Sequence, residues 1–510
     1  MSSKLSFKMD SKWLLIFVVL LSVVITSVMM NTTHNNQENH SAMSNSIDID
    51  NGDLKINWNR FTYHDIDLSS TVTITNSGVY HLTGSLNDEN IIIKVTNGKV
   101  KLILDNVTIK NSTGPAIACY AADDLVIELV GENVLEDGKN YSADYDEDVT
   151  GVIYSKADLT FQGDGSLKTT ANYQDGIVGK DDVKFNSGAY EIAAVDDGIR
   201  GKDSVYIVDG KFDITAKGDA IKSNNDTTVG KGFVLIENGD ISISAGDDGI
   251  HAYNKLIIDG GTINILKSYE GLEAQTIIIN NGDISIASND DGINAGGGSD
   301  SSTSQNPFNA NANCSLTVSG GNIYINASGD GVDSNGYIYF DGGTTVIDGP
   351  TNNGNGALDS GIGITQAGGT VIAVGASGMA ETLGENSSVY SASIYFDSTL
   401  PAGTEVKIKN SDSKTIVRHT SAKSFSHMSV GTEDFEKDET YVIYVGGEEY
   451  KTFMVSSTVT TVGENATNNM APDMTPGNMM PENMTPPSDA EGQQGFPNRP
   501  STPPDSQYRR

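Results

Sequence analysis

Two cysteines in 510 residues exclude a disulfide scaffold and any zinc cluster built on thiolates. The seven histidines form no His-Glu-x-x-His and no close pair, which argues against a zinc enzyme. Positive charge is in deficit. The 32 Lys+Arg stand against 67 Asp+Glu, a net charge of -35, so the chain has no general basic surface for nucleic acid phosphates. The same deficit argues against a direct ion-pair grip on an anionic polymer unless a metal mediates. Helical periodicity is absent throughout. Long apolar runs are absent too, with one exception from Trp13 to Met30. Lys4, Lys8 and Lys12 precede that run, so residues 1–30 read as an export signal or an uncleaved membrane anchor. In both cases the lysines stay inside and the body lies outside the cell, touching the membrane only through this segment. Residues 31–56 read as a polar spacer. Proline is sparse until Gly463–Arg510, which holds nine of the 13 and cannot bury a core. That tail is expected to be disordered.

What the chain has in quantity is glycine, at 55 residues, and a repeat. Asp-Gly-Ile or a variant recurs at Asp175, Asp197, Asp219, Asp248, Glu270, Asp291 and Asp330. A second marker, a glycine before a short apolar stretch, recurs at Gly188, Gly210, Gly239, Gly261, Gly282 and Gly321. From each glycine to the next acidic residue the step is always nine, as in 188 to 197 and 321 to 330. The return arc is 12 or 13 residues, swelling to 20 from 219 to 239 and to 30 from 291 to 321. Apolar residues alternate within the fixed arc, as at Ile241 and Ile243 or Ile284 and Ile286, which marks strands with one buried face. Circuits of about 22 residues cannot bury a face alone and must stack on one another. The expected fold is all-β, a right-handed parallel β-helix over residues 57–455. Strands after Asp359, such as Ser393–Phe396 and Tyr441–Val445, are expected to cover its end.

Stacking places the acidic residues in a column, with Asp196, Asp247 and Asp290 beside it. Carboxylates one rung apart repel and raise one another's pKa, so the column needs a cation or compensating donors. Calcium suits an all-oxygen set better than magnesium, and Asp196, Asp197, Asp219, Asp247, Asp248, Asp290, Asp291 and Asp330 are the candidate ligands. The competing reading is that each Asp accepts turn N–H groups. A neighbouring column of Val178, Arg200, Lys222, His251, Glu273, Asn294 and Asp333 points outward, followed by Lys180 and Lys202. Arg200, Lys202, Lys222 and His251 are candidate ligand contacts, with Tyr173, Tyr253 and Tyr269 near the same edge.

These residues resemble the secreted carbohydrate-binding β-helix proteins related to pectate lyases. The resemblance rests on Asp247-Asp248-Gly249-Ile250-His251-Ala252 followed by Leu256-Ile257-Ile258-Asp259-Gly260-Gly261-Thr262-Ile263-Asn264-Ile265, and again on Asp290-Asp291-Gly292-Ile293-Asn294-Ala295. It spans roughly Asn57 to Gly447, with departures at Gly218-Asp219-Ala220 and Glu270-Gly271-Leu272. It implies calcium on the β-helix and non-catalytic binding of cellulose or an acidic plant polysaccharide such as pectin. Three functions follow. The first is an exported, monomeric polysaccharide binder. The second is a calcium-dependent lyase working by β-elimination, with Lys202 or Lys222 as the base. The third is a structural surface adhesin.

Overall fold

The computed structural model describes residues 56–297 and 310–464. The expected leader, nearly all of the spacer and nearly all of the proline-rich tail lie outside them. Among the described residues the chain is all-β, with a single 3-10 turn at Trp58–Arg60 and no α-helix.

Each circuit lays down three strands. The circuit that opens at Asp175 forms Asp175–Gly179, Asp182–Phe185 and Ala189–Ala193, and the next forms Ile199–Gly201, Ser204–Ile207 and Lys211–Thr215. Like pairs with like in parallel: Ile177 lies opposite Ile199, Val183 opposite Val205, and Ile192 opposite Ile214. The result is a parallel β-helix with three faces, here called the first, second and third sheets. The less regular early circuits join the same stack, with Ile91 opposite Ile117, Leu102 opposite Ile127 and Ile109 opposite Leu135. The stack continues to Val332 opposite Leu358 and Ile347 opposite Ala373.

The alternating apolar residues point inward. Ile177, Ile199, Ile221, Ile250, Leu272, Ile293 and Val332 form one file down the core, each fully buried. Each such side chain is worth roughly 1.5–3 kcal/mol of apolar burial. Both glycine markers have physical reasons. Gly188, Gly210, Gly239, Gly261, Gly282 and Gly321 all adopt positive φ, from 85° to 145°, at the corner between the second and third sheets. The glycine of Asp-Gly is needed for close approach instead. A Cβ on Gly198 would lie 2.6 Å from the Ala220 carbonyl oxygen of the next rung, and one on Gly249 would lie 2.6 Å from that of Gly271.

The two swollen arcs leave the stack at one corner, between the first and second sheets. One runs from Ser223 to Phe233 and the other from Ala295 to Ser315, the latter partly outside the described residues. Parallel stacking ends with Thr370–Gly375, short of residue 455. Phe425–Thr432 pairs antiparallel with that last strand and with Ser391–Leu400. Thr415–Thr420, Glu405–Lys409, Thr440–Val445 and Glu448–Met454 form a separate four-stranded antiparallel sheet. The region after the repeat therefore closes the stack with a different pairing direction, around its own core of Ile394, Ile408, Met428 and Ile443.

Candidate functional site

The acidic column sits where the chain turns from the third sheet into the first. Asp175, Asp197, Asp219 and Asp248 are buried, and their Oδ1 atoms all do one thing. Each accepts the backbone N–H of the equivalent residue one rung on. Asp197 N–H donates to Asp175 at 3.1 Å, Asp219 N–H to Asp197 at 3.0 Å, Asp248 N–H to Asp219 at 2.8 Å, and Glu270 N–H to Asp248 at 3.3 Å. Asp291 and Asp330 continue the series, receiving the N–H of Asp330 and Gly356 at 2.7 and 2.5 Å. The carboxylates therefore accept N–H groups of the following rung, not of their own turn. A charge-assisted bond of this kind is worth about 1.5–3 kcal/mol.

The second oxygens meet counter-charges from the neighbouring column. Register places Val178, Arg200, Lys222, His251, Glu273, Asn294, Asp333 and Asp359 side by side, one per rung. Arg200 donates from Nη2 to Asp175 Oδ2 at 2.5 Å and to Thr150 at 2.8 Å. Lys222 Nζ lies 2.6 Å from Asp219 Oδ2, and His251 Nδ1 lies 3.2 Å from Asp248 Oδ2 and 2.7 Å from Glu273 Oε2. Burial pushes Asp197 up to about 8, whereas the Lys222 and His251 charges override burial and hold Asp219 below the usual carboxylate range. Burial opposes a charge on His251, but Glu273 and Asp248 outweigh it and raise its pKa well above 6.5.

This geometry alters several expectations. Lys222 and His251, 13% and 1% exposed at their side chains, face the acidic column, whereas the sequence pattern points them outward. Arg200 is committed to Asp175. Lys222 is unsuited to act as an elimination base, because Asp219 holds its ammonium. Lys202 alone of the four remains exposed. Asp196, Asp247 and Asp290 are half-buried beside the ladder and join none of the triads whose ligand atoms lie within 4.8 Å of one another among the described residues. Asp197 joins none either, and Asp219 and Asp248 meet in a triad already occupied by His251. Tyr173 stacks on Tyr141 at 4.3 Å between centroids.

Toward the C-terminal end the cations stop. After His251 the counter-charge column continues as Glu273, Asn294, Asp333 and Asp359. Asp330, Asp333 and Asp359 bring one carboxylate oxygen each within 4.8 Å of one another. Burial, then each other's charge, pushes Asp333 up to about 7, and burial does the same to Asp330. Glu381, from the loop after the last parallel strand, is pushed up to about 7 by burial and by Asp359. Asp291, one rung before, is raised well above 3.8 by burial and by Asp330. Three or more converging carboxylates with no protein cation paired to them among the described residues suit a hard divalent ion with oxygen ligands. The sequence signal for part of this set is the echo of Val332-Asp333-Ser334 in Leu358-Asp359-Ser360. Glu381 lies outside the repeat and carries no such signal.

A family model for "Carbohydrate-binding domain-containing protein" matches residues 69–305. A protein of the same description from Acetivibrio thermocellus is 35% identical over 128 residues, which is 24% of this chain and 45% of that relative. The chain thus matches less than half the length of this relative. A solved structure described as a polysaccharide lyase-like protein from C. thermocellum, in a gadolinium derivative, is 29% identical. It covers 42% of this chain and 96% of its own, with a TM-score of 0.38.

Proposed function

We propose that this chain is an exported, non-catalytic polysaccharide-binding β-helix whose acidic end is charge-balanced by calcium. The carbohydrate-binding family match over residues 69–305 carries the polysaccharide reading. Converging Asp330, Asp333 and Asp359, with Glu381 near them, support calcium, because burial and mutual repulsion leave these groups in need of a cation. Calcium bound there supplies positive charge at a partly exposed edge, suited to the carboxylates of an acidic polysaccharide such as pectin. Asp197, Asp219 and Asp248 are less suited to calcium, since their oxygens already engage backbone N–H groups and protein cations.

The test is pull-down of the full chain on polygalacturonate and on cellulose, with calcium and with chelator, while the supernatant is assayed for unsaturated uronate ends. Retention without new unsaturated ends is expected. Accumulating unsaturated ends would make the protein a lyase, and failure to bind either polymer would remove the polysaccharide reading.

A further inference from the structure

The net charge of -35 averages over a surface that is not uniform. Ile93, Cys119, Ser155, Gly179, Gly201 and Ser223 are register partners at or near the end of successive first-sheet strands, with a bulge after Ile93 that sets Lys94 opposite Ala121. The residues that follow them are Lys94, Tyr120, Lys156, Lys180, Lys202 and Asn224. Backbone bonding runs through this position as well: Lys156 N–H donates to the Cys119 carbonyl at 2.9 Å, Lys180 to Ser155 at 2.8 Å, and Lys202 to Gly179 at 3.0 Å. Three lysines therefore repeat at the rung spacing of about 4.8 Å. Lys94 extends the file, its ammonium 5.4 Å from the centre of the Tyr120 ring.

Like charges one rung apart repel unless an anion lies between them. The protein supplies little. Lys156 and Lys180 reach Asp146 and Asp148 at 3.9 and 3.6 Å, on the loop before Thr150, where Asp146 is exposed and Asp148 is half-buried and also accepts the Tyr154 hydroxyl. Lys94, Lys156 and Lys202 are exposed and Lys180 is half-buried. Burial first, then Arg200 and Lys202, lower the Lys180 pKa against the pull of Asp148. Beside the file lies an open cavity of about 550 Å³, lined by Asp148, Lys156, Lys180, Arg200, Lys202 and Asn224. An extended pyranose chain advances by about one rung spacing per ring. A chain with one carboxylate per sugar, lying along the stack, turns an anion toward the file every second or third ring, within reach of long lysine side chains on adjoining rungs.

We infer that the file of Lys156, Lys180 and Lys202, with Lys94 over Tyr120 at its end, grips a polyuronate chain directly, without calcium. The inference rests on the proposed polysaccharide reading and adds to it a second, calcium-free place on the fold, remote in sequence from Asp330 and Asp333. It also reverses the expectation, drawn from net charge, that an anionic polymer needs a metal bridge.

The experiment measures binding of the full chain to soluble polygalacturonate, to its methyl ester and to cellulose, each with chelator and with calcium. The expected result is binding to polygalacturonate in chelator that weakens about tenfold or more on esterification. A Lys94→Gln, Lys156→Gln, Lys180→Gln, Lys202→Gln variant should lose a similar factor at an unchanged melting temperature. If that variant melts early, Lys156→Gln with Lys202→Gln, both on exposed side chains, should still weaken binding several-fold. Binding that requires calcium, or that the variants leave intact, overturns the lysine file while the polysaccharide reading stands. No binding to any of the three polymers, with or without calcium, overturns both.

Discussion

Replacing Lys222 by alanine isolates the role of the counter-charge column. Its ammonium lies 2.6 Å from Asp219 Oδ2, with side-chain exposures of 13% and 1%. At an effective dielectric of about 20 the gross attraction is roughly 6 kcal/mol, much of it offset by the desolvation of both groups. Removing one partner of a buried pair costs about 3–5 kcal/mol, and partial exposure of Lys222 places the expected loss near 3 kcal/mol at neutral pH. The pH dependence carries the sharper test. In the native protein Asp219 is held below 3.8, so its contribution is present above the unfolded value and is lost as pH falls through the folded one. Without Lys222, burial is opposed only by the His251 charge and the Asp248 N–H, so the Asp219 carboxyl is expected to move upward and the variant to recover stability as acid protonates it. The deficit measured by urea unfolding should therefore shrink from pH 7 toward pH 4. Adding Asp219→Asn to make the pair neutral should return part of the loss. A deficit that is constant across this range, or below about 1 kcal/mol at pH 7, would refute the account of a charge-compensated ladder.

At the other end of the stack the sign reverses. Asp330, Asp333 and Glu381 are pushed up to about 7, so in chelator their stability contribution is complete below about pH 4 and is lost as pH rises through 7. Calcium should flatten that slope in thermal melts, by a few kcal/mol at most once solvent screening is counted. Asp333→Asn with Asp359→Asn should abolish the calcium-induced rise in melting temperature, whereas Asp197→Asn should leave it in place. Gly249→Ala should cost about 1–3 kcal/mol in denaturant unfolding, because its Cβ would meet the Gly271 carbonyl oxygen at 2.6 Å.

Period and core were legible because both are one-dimensional properties of the sequence. The constant nine-residue arc fixed which residues share a file, and the buried file of Ile177, Ile199 and Ile221 follows it. Charge pairing was not legible in the same way. Asp219 and Lys222 are three apart, and alternation along an extended strand places them on opposite faces. The turn at Asp219-Ala220 breaks that alternation and brings the carboxylate within reach of Lys222. Arg200, Lys222 and His251 therefore read as an outward ligand face when they are counter-ions. Lys156 escaped notice because its circuit precedes the regular repeat. Glu381 escaped because it enters from beyond it.

The ladder of Oδ1 atoms receiving the next rung's N–H has a consequence for how such a chain changes length over generations. Each circuit both donates to its predecessor and accepts from its successor, so a whole circuit is a unit that can be copied or excised without leaving an unmatched junction. The copies are not electrically equivalent. Duplicating Asp197 through Gly218 adds Asp197, Asp203, Asp209 and Asp213 together with Arg200, Lys202, Lys211 and Lys217, and so lengthens the stack with no change in net charge. Duplicating Asp330 through Gly356 adds Asp330, Asp333, Asp341 and Asp348 with no Lys or Arg at all. Recombination within this one gene can thus tune the balance of the two ends separately, with the hydrophobic interior indifferent to which circuit was copied.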